Sequence, residues 1–232
     1  CGSGNITFTD DTTTAFADDG LTTANNCRDT TTEGGSSFTS TINGKSSDKC
    51  TDSAQTTSNC NALTTRVADG AAGNATLDFG FSGGSGSERA DFDVRFKADL
   101  STTLSGNTDT TQFSGSIFFN DRVARLAGTA LLENIRVAFT FNPSTGGGSE
   151  TLSGAFGVST GSGRCAVGKA SSRTDSPLIY NSNFDVTAGQ LTLTGANGQT
   201  ARVNYNSDSS YTVTLSNGQT RTYAADVFEE LC

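Results

Sequence analysis

The segment RADFDVRFKADL (89–100) alternates residue by residue. Phe92, Val94, Phe96, Ala98 and Leu100 fall on one side, and Asp91, Asp93, Arg95, Lys97 and Asp99 on the other. A period of two is the mark of a half-buried β-strand. ENIRVAFTF (133–141) repeats the pattern with Ile135, Val137, Phe139 and Phe141. Leu77, Phe79 and Phe81 predict a third strand, and Leu152, Phe156 and Val158 another. Phe113, Ile117 and Phe119 add one more, with Gly115 where a neighbouring backbone comes close or the strand bulges. RVARLAGTALL (122–132) has helical character in isolation, but its place between strong strands and its Gly128 make it a strand.

Near the C-terminus, QLTLTGANGQTARVNY and YTVTLSNGQTRTY each set an Asn-Gly pair, Asn197-Gly198 and Asn217-Gly218, between alternating segments. Asn-Gly suits a type I′ hairpin turn. AADVFEEL (224–231) predicts a short helix. Residues 1–74 read differently: NITF (5–8) is a short strand, and DDTTTAFADDG, NNCRDTTTEGGSS and SSDKCTDSAQTTSNCN are loops. The expected organisation is a polar, Cys-containing arm with loops over 1–74 and an antiparallel β domain with a short C-terminal helix over 75–232. Without crossover helices a parallel sheet is excluded. The fold class is all-β, an antiparallel sandwich or barrel of roughly ten strands stapled by disulfides. A transmembrane barrel alternates too, but it carries aromatic girdles. Here Trp is absent and Tyr numbers 4.

The six cysteines are Cys1, Cys27, Cys50, Cys60, Cys165 and Cys232. None forms a C-x-x-C pair, so zinc and iron–sulfur spacings fail. An even count in a chain rich in Ser, Thr, Gly and Asn points to disulfides in an oxidising, extracellular or cell-surface compartment. Cys50–Cys60 closes the short polar loop CTDSAQTTSNC; Cys1–Cys27 and Cys165–Cys232 complete one set among several. No apolar run is long enough for a transmembrane helix. The absence of a starting Met and of a leader reads as a mature, exported product.

The net charge is -9, with 15 Lys+Arg against 24 Asp+Glu. That balance argues against nucleic acid as a partner. There is no His, which removes the usual general base and the commonest metal ligand. Gly80-Phe81-Ser82-Gly83-Gly84 and Gly157-Val158-Ser159-Thr160-Gly161 match G-x-S-x-G, but a nucleophile elbow needs His; both read as turns at strand ends. Gly163, Gly168 and Lys169 have phosphate-loop spacing, yet Ala170 stands where a hydroxyl would hold magnesium and no helix follows. Asp10/Asp11, Asp18/Asp19 and Glu229/Glu230 could serve calcium, but as a set they read as solvated acidic turns. No catalytic residue, cofactor or metal ligand is assigned. Asn5 and Asn74 head N-glycosylation sequons and would carry glycan decoration.

CGSG at 1–4 resembles the start of a processed bacterial lipoprotein, and that resemblance implies a lipid on Cys1. Lipidation would leave five cysteines and one unpaired thiol, so the even count favours a bridged Cys1. The expectation is a non-catalytic extracellular structural protein, a subunit of a surface filament, fibre or coat. It would polymerise with copies of itself by strand addition or arm exchange, with Ile6 and Phe8 as anchors. The alternative is a lipid-anchored surface binding module; a carbohydrate-active enzyme using paired carboxylates ranks last.

Overall fold

A computed structural model of the chain describes residues 1–33, 36–67, 77–84, 89–160 and 168–224. The first strands are Ser3–Asp10 (β1), Gly20–Glu33 (β2), Ser36–Cys50 (β3), Ala62–Val67 (β4) and Leu77–Gly83 (β5). Four long ones follow: Ala90–Ser105 (β6), Thr108–Asp121 (β7), Leu126–Asn142 (β8) and Gly147–Thr160 (β9). The last are Gly168–Tyr180 (β10), Val186–Gly195 (β11), Thr200–Tyr205 (β12), Tyr211–Leu215 (β13) and Thr220–Tyr223 (β14). The protein is all-β, and its 14 strands form one sheet in the order β1-β2-β3-β4-β6-β7-β8-β9-β10-β11-β12-β13-β14. β5 pairs with β3 and β6. β3 is long enough to hold β5 along Phe38–Asn43 and β4 along Ser46–Cys50. Each strand whose pairing is resolved residue by residue is antiparallel to its neighbour.

Among the described residues fourteen strands form, where roughly ten were expected, and the additional ones lie mostly in the polar first part. Residues read as loops, NNCRDTTTE among them, belong to β2 and pair with β3 from Cys27↔Ile42 to Glu33↔Ser36. They lack apolar alternation, but their threonines are β-branched and their backbone groups are met by β3. Arg122–Arg125 is a turn. Asp121 Oδ1 accepts the backbone N–H groups of Val123 and Ala124 at 2.9 and 2.8 Å, and β8 begins only at Leu126.

The Asn-Gly hairpins use a different turn from the expected type I′. Positive φ occurs at Gly198 (77°) and Gly218 (87°), but not at the asparagines before them. Gly218 N–H donates to the Leu215 carbonyl at 2.9 Å, and Leu215 N–H to the Gln219 carbonyl at 2.8 Å. This is a type I turn closed by a left-handed glycine, the three-residue hairpin with a bulge. Asn217 Oδ1 accepts Gln219 N–H at 3.0 Å, so the asparagine works through its side chain while only glycine takes the strained φ. Of the helix expected at 224–231, residues 225–231 lie outside the described residues.

Two compact units are distinguished. The first holds Cys1–Ser101, Gly115–Leu131 and Ser159–Arg164. Its strands separate two kinds of side chain. Ile42, Phe79 and Val94 lie abreast, and Ser40, Phe81 and Phe92 form the next row. Phe38, Phe81 and Phe92 stack with centroids 5.5 and 5.4 Å apart. The alternate rows are polar: Asn43, Asp78 and Arg95 in one, with Arg95 paired to Asp78 at 3.6 Å. On the polar side Arg122 also pairs with both Asp91 and Asp93.

The second unit holds Thr102–Ser114, Leu132–Val158 and Cys165–Cys232. Leu191, Val203 and Val213 form one row, and Tyr205, Tyr211 and Tyr223 the next. The opposite face carries Gln190, Asn204, Thr212 and Thr222 in a row. Its hydroxyls and amides satisfy one another, as in Thr212···Thr222 at 3.0 Å. Among the described residues few side chains are deeply buried: the apolar ones are Ala24, Cys27, Cys50, Ala98, Leu178 and Val203. Cross-strand pairs, rather than a thick core, are therefore the main packing unit.

Candidate assembly edge

β1 pairs with β2 from Asp10↔Gly20 to Ser3↔Arg28, with an irregularity between Ser3 and Asn5. Every residue of β1 is exposed. Ile6 and Phe8 are each 50% exposed, although they share a face of the sheet with Ala24 and Thr22, the residues opposite them. Gly20 makes room for the Phe8 ring, because a Cβ there would lie 2.8 Å from its Cζ. Cys1 and Cys27 are disulfide-bonded, which ties the start of β1 to the middle of β2. Cys50 and Cys60 are bonded as well. Cys165 and Cys232 lie outside the described residues.

The backbone parity of β1 follows from one bond. Asp11 N–H donates to the Asp19 carbonyl at 3.0 Å, in the register that continues Asp10↔Gly20. In an antiparallel ladder the bonded pairs alternate. Thr9, Thr7 and Asn5 therefore turn their N–H and C=O groups towards β2. Ile6, Phe8 and Asp10 turn theirs away from it. Among the described residues β1 has no other strand partner. The sheet thus ends in an open edge of eight residues, SGNITFTD, with no Pro, Lys or Arg to blunt it. The other end of the order, β14, has four residues and carries Arg221.

The loop that closes the β1–β2 hairpin is held by acidic side chains. Asp11 Oδ1 accepts the Thr13 hydroxyl at 2.6 Å and the Thr13 N–H at 3.0 Å. The Thr13 hydroxyl first, then its N–H, hold the Asp11 carboxyl below its ordinary range. Asp19 is fully buried and accepts Cys50 N–H at 2.6 Å; its Oδ2 has no protein partner. The sequence reading of Asp18/Asp19 as a solvated turn is thus corrected at Asp19. Ala17 N–H donates to the Thr57 carbonyl at 3.1 Å, which joins this loop to the one closed by Cys50–Cys60. In that second loop the Ala54 N–H is the main influence lowering the Asp52 pKa. A pocket of about 590 Å³ opens beside the edge, lined by Thr9, Asp10, Leu21, Lys49, Thr64 and Arg66 among others. Lys49 pairs with Asp11 at 3.7 Å, and Arg66 with Asp99 at 3.6 Å.

Other sequence motifs fall elsewhere. Ser82 lies within β5 and Ser159 within β9, so neither sits in a turn. Gly168 and Lys169 start β10, and the Lys169 ammonium pairs with Glu133. Among the described residues no three His, Cys, Asp or Glu side chains converge on a metal position. Glu229/Glu230, Gly163 and Asn74 lie outside the described residues. Asn5 lies in β1 opposite Asn25.

The sequence reading missed a polar–aromatic cluster in the second unit. Burial pushes the Glu150 carboxyl up, and Tyr180 is pushed up to about 12 by burial and by the nearby Glu150 charge. Burial also raises Tyr205. Tyr205–Tyr211 and Tyr211–Tyr223 have centroids 6.1 and 5.2 Å apart, and the Arg221 guanidinium lies 4.8 Å over Tyr223. The signal in the sequence was the spacing of Tyr205 and Tyr211 around a hairpin, which places them directly opposite each other.

The chain matches no protein-family model, no curated protein and no solved structure.

Proposed function

We propose that this chain is a non-catalytic extracellular structural protein, a subunit of a surface filament, fibre or coat that grows by strand addition. The observation that carries the reading is the open edge of β1, where Ile6 and Phe8 are half exposed and the backbone groups of Ile6, Phe8 and Asp10 face away from β2. An exposed edge with apolar alternation is a template for another strand. Strand addition is favoured over arm exchange because the Cys1–Cys27 bond keeps β1 on its own sheet. Two disulfides support an oxidising, exported setting.

A glycan on Asn5 would stand on the pairing edge, so assembled chains carry Asn5 bare. The rival reading, a lipid-anchored binding module, needs a thioether at Cys1, and that sulfur is bonded to Cys27. Mass spectrometry of the N-terminal peptide separates the two. The assembly reading is tested by the double variant Ile6→Asp, Phe8→Asp. It folds to the same β-sheet content by circular dichroism and does not form the large particles that the parent chain forms, as seen by electron microscopy. Undiminished particles from the variant would sink the proposal.

A further inference from the structure

The β1 edge is complementary to itself, and we infer that its partner is β1 of a second copy, paired antiparallel about a two-fold axis through Thr7. The inference rests on the assembly reading above and specifies its first contact.

Parity limits the choice. In an antiparallel pair, directly opposite residues either both face their partner with backbone groups or both face away. Ile6, Phe8 and Asp10 face outwards, so each must meet an even-numbered residue of the second copy. Opposite residues also share a face of the sheet. Among the registers that satisfy these conditions, three are centred on the apolar stretch Ile6–Phe8. Centring on Ile6 opposes Ile6 to itself and Phe8 to Gly4, which wastes the aromatic ring. Centring on Phe8 opposes Phe8 to itself but sets Asp10 against Ile6. Centring on Thr7 opposes Ile6 to Phe8 in both directions, Asp10 to Gly4, Asn5 to Thr9 and Thr7 to itself.

The Thr7 register gives two apolar cross-strand pairs, the unit by which paired strands stabilise one another. It sets no like charges opposite one another, since Asp10 meets glycine. On the polar face it builds a Thr/Asn row like the Gln190, Asn204, Thr212, Thr222 row already present in the sheet. Parity also places Thr7, Asn5 and Thr9 at non-hydrogen-bonded sites, where opposed Cα atoms are about 4.5 Å apart. A two-fold contact closes on itself. The pair is therefore the building block of the assembly.

Cysteine pairs read the register. Thr7→Cys, with Cys1–Cys27 and Cys50–Cys60 confirmed intact by peptide mapping, links to a disulfide dimer under mild oxidant, because the expected spacing suits an S–S bond. Thr9→Cys alone does not link, since its two copies lie about 13 Å apart along the edge. Asn5→Cys mixed with Thr9→Cys does link. Analytical ultracentrifugation of the unmodified chain is run alongside. If the chain assembles but Thr7→Cys stays unlinked, or Thr9→Cys links to itself, this register is overturned and the assembly reading survives. A chain that stays monomeric at every concentration overturns both.

Discussion

The Asp19 carboxylate accepts the backbone N–H of Cys50 at 2.6 Å from a fully buried position. One short bond thereby joins the β1–β2 loop to the half-cystine that closes residues 50–60. A buried amide left without an acceptor is costly. This contact stabilises the end of the sheet next to the β1 edge.

Asp19→Ala removes the acceptor and leaves the Cys50 N–H unmet. Urea unfolding of the variant shows a loss of about 2 kcal/mol. Asp19→Asn keeps an acceptor oxygen and, since Oδ2 has no protein partner to lose, costs less. Equal losses from the two variants would show that the Cys50 bond is not the source.

The Glu150–Tyr180 pair makes stability depend on pH. Both groups have folded pKa values raised above their ordinary ones, so the folded state holds these protons more tightly. Glu150 therefore favours folding below about pH 4.5, and that advantage is lost as pH rises through its folded pKa. Tyr180 repeats this higher up: its contribution is full below about pH 10 and is lost towards about 12. In a spectroscopic titration of phenolate absorbance, Tyr180 ionises late, and Tyr180→Phe removes that late step. Glu150→Gln lowers the pH at which Tyr180 ionises, because the carboxylate charge no longer opposes the phenolate. An unchanged late step in Glu150→Gln would contradict the coupling.

Tyr211 is the middle ring of the tyrosine ladder, with neighbours 6.1 and 5.2 Å away. Tyr211→Ala breaks both contacts and lowers stability by about 2 kcal/mol, since each aromatic pair contributes roughly 1 kcal/mol. Tyr211→Phe keeps the rings and costs much less. Hydrogen exchange in Tyr211–Leu215 and Thr220–Tyr223 rises in the alanine variant and stays near the parent level in the phenylalanine one.

The strands that alternate apolar and polar residues were legible because period two is a local property. Phe92 to Leu100 face one way whatever the rest of the chain does, and the same holds for Ile135 to Phe141. Local loop closure likewise made Cys50–Cys60 readable. The strands of the first part were not legible, because β2 has little alternation of its own. Thr31 and Thr32 become strand only when β3 supplies their hydrogen-bonding partners. The hairpin glycines were visible, but the turn type was not. It depends on which residue takes positive φ, and the Asn217 side chain settled that by bonding Gln219.

At the candidate site the division is similar. Ile6 and Phe8 stood out as an apolar pair in a polar stretch, yet a pair of that kind serves equally in a core. Only the tertiary structure put β1 at the end of the sheet and turned the backbone groups of Ile6, Phe8 and Asp10 away from β2. Asp19 gave no sequence signal, since burial of one member of an Asp-Asp pair depends on a contact 31 residues away. The sequence by itself determined the all-β class, the two-sided strands and the exclusion of histidine chemistry, because these follow from residue type and local spacing. The tertiary structure decided which described strands end the sheet, because an edge exists only once the strands have found their neighbours.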